Sequence, residues 1–235
     1  MANIIAASTS TVFGSGHLEY LHEELKPFFK EADEIIFIPF ARPSGISYDD
    51  YTEKVSQSFS KIGKRVKGLH TFENPKQALM NAEGIFTGGG NTFVLLDQLY
   101  KLNLINDLKQ SILNGTPYLG TSAGSNICGL TIGTSNDMPI VYPPSFKAMG
   151  LFSFNINPHY LDPISGNTHM GETRETRISE FHKFNPQPVI GLREGSWIEV
   201  DGEDINLRGN LQARLFKQGQ RAVEIESNSD LSSIK

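Results

Sequence analysis

The amino-acid sequence predicts an α/β fold with a doubly wound, mostly parallel sheet, and two features support this. Through the first two thirds of the 235 residues, short apolar runs alternate with longer amphipathic segments, which is the pattern of successive β-α units. Two glycine-rich turns each follow an apolar run and precede a helical pattern, as strand-to-helix connections in such sheets do. Past about residue 155 the apolar runs are short and separated by turn signals, which predicts an antiparallel C-terminal extension of the sheet.

The boundaries of the predicted elements follow from these patterns. Strands are expected at 3–7, 34–40, 66–72, 84–87 and 116–120, and in the C-terminal part at 154–156, 189–192, 196–199, 205–207 and 213–216. Helices are expected at 17–32, 51–62, 75–82, 92–101, 106–113, 125–130 and 172–184. In the first of these helices, Leu18, Leu21 and Leu25 recur at spacings of three and four residues, which gives it one apolar face.

Length and composition bound the class of protein. A chain of 235 residues with 38% hydrophobic and 20% charged residues is expected to fold as one domain spanning 1–235, with the serine-rich segment 226–235 as a flexible tail. The net charge of −5 argues against nucleic acid or an anionic membrane as a partner. The single cysteine, Cys128, excludes an internal disulfide framework, and the N-terminal residues lack a signal-peptide pattern. We expect a cytoplasmic protein without membrane spans, either a monomer or a small homo-oligomer.

The first chemical signal is a turn that fits the pattern G-x-S-x-G. It follows the apolar run 117–119 and consists of Gly120-Thr121-Ser122-Ala123-Gly124. Small neighbours let the backbone bend sharply, so that the Ser122 hydroxyl projects above the edge of the sheet as a nucleophile. The N–H of Ala123 would then face a developing oxyanion, assisted by the dipole of the helix that follows. A doubly wound sheet also needs such a turn without any chemistry, so the pattern alone does not establish catalysis.

A second glycine-rich loop follows the predicted strand 84–87 and consists of Gly88-Gly89-Gly90-Asn91. It is expected at the same carboxyl edge of the sheet, where folds of this kind bind ligands, and its amides are candidates for the other oxyanion donor. Phosphate binding is the alternative. Against it, Phe93 stands where the last glycine of G-x-G-x-x-G is required, and the chain has no G-x-x-x-x-G-K-[ST] pattern.

A serine hydroxyl needs a neighbouring base at neutral pH, and the six histidines are the candidates. His159 is favoured because it ends an apolar run that begins at residue 154, and Pro158 fixes the direction of the chain just before it. His169 is the rival, although its polar, glycine-flanked surroundings predict a loop. The others are expected to be structural or surface residues: His17 and His22 on the solvent side of the first helix, His70 in a strand and His182 on the polar face of a late helix.

The base in turn needs an acidic partner that holds its tautomer, and two carboxylates are candidates. Glu194 comes just after the apolar run 189–192 and is followed by Gly195. Asp137 is the one charged residue in the stretch 134–140, which suggests a desolvated carboxylate with hydrogen-bonding neighbours. The residue pattern does not choose between Glu194 and Asp137.

Taken together, five blocks of this sequence resemble peptidase E, the aspartyl dipeptidase. In chain order they are Gly88-Gly89-Gly90-Asn91-Thr92-Phe93, Ser122-Ala123-Gly124, Asn136-Asp137-Met138-Pro139-Ile140-Val141, Asn157-Pro158-His159 and Gly171-Glu172-Thr173-Arg174-Glu175. The resemblance extends from about residue 38 to about residue 197 and so covers most of the chain. It implies a three-layer, flavodoxin-like sheet related to class I glutamine amidotransferases, with serine in place of their cysteine. It also implies activity on dipeptides that begin with aspartate, and no metal or other cofactor.

The resemblance also assigns roles to individual residues: Ser122 as nucleophile, His159 as general base, Gly90 and Ala123 as oxyanion donors, and either Glu194 or Asp137 as the acid. Arg174 matches the arginine that holds the aspartate side chain of the substrate. That role suits a guanidinium, which pairs bidentately with a carboxylate where lysine offers only a point charge. The alternative for Arg174 is an ion pair on the helix surface with neighbouring glutamates.

Two other functions are compatible with the sequence. A cyanophycinase-like hydrolase shares a serine turn but cuts a β-linked aspartyl-arginine polymer, and Asn157-Pro158-His159 favours the dipeptidase over it. A non-catalytic relative would bind a small ligand without turnover. The small peptide substrate is therefore the partner that the sequence favours.

Overall fold

Two β-sheets form the framework of the fold in the computed structural model, which describes residues 1–163, 166 and 171–234. The strands in this part of the chain are β1 (Asn3–Ala7), β2 (Glu34–Ile38), β3 (Arg65–Gly68), β4 (Gly84–Thr87), β5 (Tyr118–Thr121), β6 (Asn155–Pro158), β7 (Val189–Leu192), β8 (Ser196–Asp201), β9 (Asp204–Gly209), β10 (Ala213–Phe216) and β11 (Val223–Ile225). The larger sheet has the order β3-β2-β4-β5-β1-β8-β9, and the smaller one β11-β10-β7-β6.

The larger sheet is parallel through its first five strands. β1 pairs with β5 in the register Ile4↔Tyr118, and β4 pairs with β2 and β5 in the same sense. β8 then joins β1 in the antiparallel sense, and β9 joins β8 across the turn that contains Gly202, whose φ is +67°. The predicted mostly parallel sheet with an antiparallel C-terminal extension is confirmed for these strands.

The remaining C-terminal strands form a sheet of their own, which differs from the single extended sheet that the sequence predicted. β6 and β7 are parallel neighbours, and β10 and β11 add to β7 in the antiparallel sense. β6 and β7 are buried along their whole length, because Ile156 and Ile190 enter the main core while Val189 packs on Phe216 in a smaller cluster. A short apolar run in the sequence predicts a buried strand, but it does not indicate which other strand will pair with it.

Seven helices occur in the described residues: α1 (His22–Phe28), α2 (Tyr48–Ser60), α3 (Pro75–Met80), α4 (Thr92–Lys101), α5 (Ile105–Leu113), α6 (Ala123–Asn126) and α7 (Arg174–Phe181). Alternate residues of the central strands enter two separate cores. Ile4 and Ile85 lie in the core covered by α4 and α5, whereas Ile5 and Phe86 lie in the core covered by α1 and α2. The predicted three-layer architecture is therefore confirmed. None of these helices is long and apolar enough to span a membrane.

Two predicted elements are shorter than the sequence suggested. The helix predicted at 17–32 consists of a 3-10 turn at Glu19–Leu21 followed by α1, and it starts late because Leu18 has a left-handed backbone with φ +57°. The strand predicted at 66–72 ends at Gly68, and the chain continues as a 3-10 turn at Leu69–Thr71. Hydrophobic spacing was correct in both segments, but local backbone geometry interrupts the regular element.

The segment 226–234 does not form the flexible tail that the sequence predicted. Leu231 and Ile234 are only 1% and 6% exposed, and both belong to the main core. The backbone N–H of Leu231 donates to the Ile205 carbonyl at 2.7 Å, and the Ser153 hydroxyl donates to the Ile234 carbonyl. The serine-rich composition of the segment concealed these two apolar residues, whose burial is sufficient to hold the chain against the protein.

His17 also differs from its predicted place on the solvent side of a helix. Its ring packs against Phe86, with 6.5 Å between the ring centroids. Burial lowers the pKa of His17, the nearby cations Lys54 and Arg42 act in the same direction, and together these effects bring it from 6.5 to about 4. The folded protein therefore holds His17 in its neutral form.

We expect this neutral histidine to make the fold less stable in acid. Between pH 6.5 and about 4 the unfolded chain takes up a proton on His17 that the folded chain does not, so the free energy of unfolding decreases as the pH falls through that window. At about 1.4 kcal/mol per pKa unit, the difference between 6.5 and about 4 limits the loss to about 3.5 kcal/mol. Urea unfolding of His17→Gln should show a shallower pH dependence than the native protein over this window. Equal slopes for the two proteins would contradict the assignment.

Candidate active site

Ser122 lies in a strained turn between β5 and α6 at the carboxyl edge of the larger sheet. Its backbone angles are φ +52° and ψ −106°, a conformation that L-residues rarely adopt. The turn is sterically closed around two glycines. A Cβ on Gly120 would lie 2.5 Å from the Gly124 carbonyl oxygen, and a Cβ on Gly124 would lie 2.2 Å from the Thr87 carbonyl oxygen. Both glycines of G-x-S-x-G are therefore required by close backbone approach.

The helix that follows Ser122 is shorter and starts earlier than predicted. The sequence suggested 125–130, whereas α6 spans Ala123–Asn126, a single turn. The hydroxyl of Ser125 donates to two carbonyls, those of Ala7 at 2.6 Å and Gly120 at 2.8 Å, which holds this turn against β1 and β5. A helix of one turn has only a small dipole, so any stabilisation of an anion here would depend on individual N–H groups.

His159 follows directly on β6 and reaches Ser122. Its Nε2 atom lies 2.9 Å from the Ser122 hydroxyl oxygen, a hydrogen-bond distance. Like Ser122, His159 has a positive φ, +54°, so both side chains project from strained backbone at the ends of strands. The rival histidine of the sequence analysis, His169, lies outside the described residues.

Glu194 comes two residues after the end of β7 and contacts the other nitrogen of the same imidazole. Its Oε1 atom lies 2.5 Å from His159 Nδ1. The side chains of His159 and Glu194 are 37% and 46% exposed, so solvent reaches both the ring and the carboxylate. Ser122, His159 and Glu194 thus form one continuous hydrogen-bonded series.

Asp137, the other candidate acid, contacts different partners. Its carboxylate accepts from the backbone N–H of Thr92 at 2.8 Å, from the Thr92 hydroxyl at 2.6 Å and from the Ser135 hydroxyl at 3.0 Å. Thr92 is the first residue of α4, so Asp137 satisfies a free amide at the start of that helix. These contacts do not support Asp137 as the partner of His159. They connect it instead to the loop that precedes α4.

That preceding loop, Gly88–Gly90, lies beside the serine. A Cβ on Gly89 would come within 3.2 Å of the Ser122 Cβ, and the Tyr51 hydroxyl donates to the Gly89 carbonyl at 3.2 Å. Gly90 has φ +150°, and a Cβ there would lie 2.2 Å from the Ala41 carbonyl oxygen. Only glycine fits this close approach.

Two asparagines that sequence reasoning did not assign hold the candidate base in place. Asn136 donates to the Pro158 carbonyl at 2.6 Å, and Asn157 donates to the Asn136 side chain and to the Thr134 carbonyl, each at 2.8 Å. The segment beside Asp137 is thereby attached to β6, the strand that His159 follows. Both asparagines belong to sequence blocks that resemble the family. Their role was not predicted, because an amide side chain gives no indication of its hydrogen-bond partner before the fold is known.

Arg174 is the first residue of α7 and is half-buried. Burial lowers the pKa of its guanidinium and Arg177 adds to this effect, whereas the nearby carboxylate of Asp137 acts in the opposite direction. Among the residues that the structure describes, Arg174 makes no ion pair, while Arg177 pairs with Glu172 at 3.8 Å. The surface ion pair that was the alternative for Arg174 is thus formed by its neighbour.

No metal-binding cluster accompanies this site in residues 1–163, 166 and 171–234, where no three His, Cys, Asp or Glu side chains are grouped to hold an ion.

Cys128 does not compete with Ser122 as a nucleophile. It is fully buried, its thiol lies 3.4 Å from the Gly124 carbonyl, and burial raises its pKa far above the ordinary value. A buried, protonated thiol is unreactive.

A serine, a histidine and a glutamate joined by hydrogen bonds form an arrangement that is typical of the class of serine hydrolases. Within that class, the family model described as peptidase family S51 matches residues 4–208, and the chain belongs to this family of peptidases.

Full-length relatives agree with this assignment. A probable alpha-aspartyl dipeptidase of Drosophila melanogaster is 44% identical, with 99% of this chain and 97% of the relative covered. Peptidase E of Streptomyces coelicolor is 43% identical, with 99% and 94% covered. The resemblance to peptidase E that the sequence blocks indicated is therefore confirmed.

Solved structures agree on the fold. The crystal structure of a peptidase from an acI-B1 actinobacterium superposes with a TM-score of 0.73 at 16% identity, covering 98% of this chain and 96% of the other. A putative peptidase E from Listeria monocytogenes EGD-e gives a TM-score of 0.67 at 21% identity, covering 89% and 98%. These likenesses confirm the predicted fold class.

Proposed function

We propose that the protein is a serine dipeptidase that removes N-terminal aspartate from Asp-Xaa dipeptides. The observation that carries the proposal is the hydrogen-bonded series in which His159 lies 2.9 Å from Ser122 and 2.5 Å from Glu194. Such a series converts a weakly nucleophilic hydroxyl into a strong nucleophile, because the imidazole removes its proton and the carboxylate orients the imidazole.

In the proposed reaction, His159 Nε2 accepts the hydroxyl proton of Ser122 while Oγ attacks the carbonyl carbon of the aspartyl residue. The carbonyl oxygen becomes negatively charged and would be stabilised by the N–H groups of Gly90 and Ala123. His159 then donates its proton to the leaving amino group, the C–N bond breaks, and an aspartyl ester of Ser122 remains. Water then loses a proton to the same Nε2 atom and attacks the ester carbonyl. Nε2 returns that proton to Ser122 Oγ as the ester C–O bond breaks, which releases aspartate and restores the free serine.

Glu194 is proposed as the acid of the triad. It contacts Nδ1, the nitrogen that must carry a proton if Nε2 is to accept one from Ser122. Asp137 is proposed to act at a distance, since its contacts with Thr92 hold the start of α4 and thereby the loop that contains Gly90. Loss of either carboxylate would lower activity, but for different reasons.

The proposed substrate class rests on Arg174 together with the relatives. A half-buried guanidinium without a protein counterion among the described residues is suited to receive a carboxylate from the substrate. The Drosophila relative is named as an alpha-aspartyl dipeptidase, which is the activity expected if that carboxylate is an aspartate side chain.

Arg174→Ala is expected to lower kcat/KM for Asp-Leu by about 10²-fold or more, because an aspartate carboxylate would lose its bidentate partner. Slow hydrolysis of Asn-Leu, which lacks the charge, should change much less. Arg177→Ala is the matched control, since it removes an arginine of the same helix that already pairs with Glu172. Equal hydrolysis of Asp-Leu and Ala-Leu by the native protein would refute the role of Arg174.

The function itself is tested by supplying Asp-Leu, Leu-Asp, Asp-p-nitroanilide and the β-aspartyl-arginine polymer in parallel. We expect cleavage of Asp-Leu and Asp-p-nitroanilide, without cleavage of Leu-Asp or of the polymer. Polymer cleavage with inert Asp-Leu would instead identify a cyanophycinase-like enzyme. Binding of aspartate without any turnover would identify a non-catalytic relative.

The same proposal includes a cytoplasmic location, a single domain spanning 1–235, and a monomer or small homo-oligomer. The relatives match this chain over nearly their whole length, which supports one functional unit. Cell fractionation and light scattering would test the location and the assembly.

A further inference from the structure

The last residue of β1 and the residue after it, Ala7 and Ser8, lie where the two sheets meet at the candidate active site. Both are fully buried, with 0% exposure. β1 is flanked by β5, which leads into Ser122, and by β8, which follows Glu194. The pair therefore lies between the segments that provide the nucleophile and the acid.

Ala7 contacts the backbone of the nucleophile. Its carbonyl oxygen accepts a hydrogen bond from the N–H of Ser122 at 3.1 Å, and it also accepts from the Ser125 hydroxyl at 2.6 Å. The strained turn at Ser122 is therefore attached to the end of β1.

Ser8 contacts the backbones of the other two segments through one hydroxyl group. Its oxygen accepts from the N–H of His159 at 2.8 Å and donates its own hydrogen to the Leu192 carbonyl at 2.7 Å. The same Leu192 carbonyl accepts from the N–H of Tyr160 at 3.1 Å, and Leu192 precedes Glu194 by two residues. A single buried hydroxyl thus connects the base, the strand leading to the acid and the end of β1.

The backbone of His159 needs such support. Its φ of +54° is a left-handed conformation that costs a non-glycine residue free energy and persists only when neighbouring contacts hold it. If the Ser8 hydroxyl were removed, the backbone N–H of His159 would lose its hydrogen-bond acceptor in a partly buried environment. Small displacements of the imidazole matter, because proton transfer requires hydrogen-bond geometry at both ring nitrogens.

From these contacts, and on the basis of the proposed function, we infer that Ser8 is a positioning residue for the triad. Its hydroxyl holds His159 at the distance from Ser122 and Glu194 that proton transfer requires, although Ser8 itself touches neither the substrate nor the reacting atoms. Through the adjacent Ala7 carbonyl, the same end of β1 also sets the position of Ser122.

The test compares Ser8→Ala with Ser111→Ala. Ser111 is a matched control: it lies in α5 and is 2% exposed, and its hydroxyl bonds to the Leu79 carbonyl at 2.8 Å and to Thr116 at 3.0 Å, none of which belongs to the triad. For Asp-Leu hydrolysis we expect Ser8→Ala to lower kcat about 10- to 100-fold with KM changed less than about threefold. Ser111→Ala should leave both constants within about twofold of the native protein.

Proton NMR provides a readout that a purely structural role would not change. A low-field resonance from the proton between His159 Nδ1 and Glu194, assigned by its absence in His159→Ala, is expected in the native protein and in Ser111→Ala. In Ser8→Ala it should broaden or disappear. If Ser8→Ala does not fold, Ser8→Cys is used instead, because a thiol fills the space but is a weak hydrogen-bonding group.

Two outcomes overturn the inference. One is a Ser8 variant that folds and keeps native kcat, and the other is a Ser8 variant with lowered kcat and an unchanged His159 resonance. Failure of the native protein to cleave Asp-Leu is a different result, which would count against the proposed function instead.

Discussion

Ser122→Ala is expected to lower kcat for Asp-Leu by about 10³-fold or more while the protein stays folded. Alanine removes only the hydroxyl that is proposed to attack the substrate, and it fits the space and backbone of the serine turn. The remaining activity would come from substrate binding and the proposed oxyanion donors, which act without a nucleophile. Steady-state hydrolysis with purified variants, together with urea unfolding to verify the fold, measures both parts of this prediction.

Three further variants show whether the lost activity depends on the proposed triad. His159→Ala should lose as much activity as Ser122→Ala, and the double variant should lose little more than either, because members of a triad act as a unit. Cys128→Ala is the control for the other nucleophilic side chain, which is fully buried, and it should retain most of the native kcat. Hydrolysis that survives Ser122→Ala would show that the reaction takes place elsewhere.

Glu194→Gln is expected to have the second largest effect and to lower kcat by about 10²- to 10³-fold. An amide cannot stabilise the imidazolium that forms during attack, and it can present a donor to Nδ1 and so favour the wrong tautomer of His159. The effect should be smaller than that of a deeply buried triad acid, because the Glu194 side chain is 46% exposed and solvent partly compensates.

Asp137→Asn is the comparison for that variant and should lower kcat by less than about tenfold. The asparagine oxygen can still accept from the N–H and hydroxyl of Thr92, so the start of α4 keeps its partner. The kcat values of the two variants, measured on Asp-Leu at one pH, rank the two carboxylates. A larger loss for Asp137→Asn than for Glu194→Gln would reverse the assignment of the acid.

The sequence predicted the central sheet well because the pattern it relies on is local. Strands such as β4 and β5 are buried on both faces, and this produces continuous apolar runs bounded by glycine-rich turns. The smaller sheet was missed because an apolar run does not identify its partner: β7 pairs with β6 and β10 rather than with β8, the next strand along the chain. The packing of Leu231 and Ile234 was missed for a related reason, since composition describes a segment without its tertiary contacts.

In the candidate site, too, the sequence predicted the residues with a local signal and missed the choice that depends on strand pairing. Ser122 was visible because its turn requires glycines at fixed spacing, and His159 because it follows directly on a strand. The choice between Glu194 and Asp137 could not be made from the sequence, since it depends on the parallel pairing of β6 with β7, in which Pro158 stands opposite Leu192. That register brings the residues after each strand together and leaves Asp137 beside α4.

The most direct test of the central claim is covalent labelling of the nucleophile. The native protein is treated with a small phosphonofluoridate, and the modified residue is located by tandem mass spectrometry while Asp-Leu hydrolysis is followed. We predict one label per chain, on Ser122, formed in proportion to the loss of activity, slowed by Asp-Leu and nearly absent in His159→Ala. Loss of activity with the label on another residue, or full activity with Ser122 completely labelled, would contradict the account.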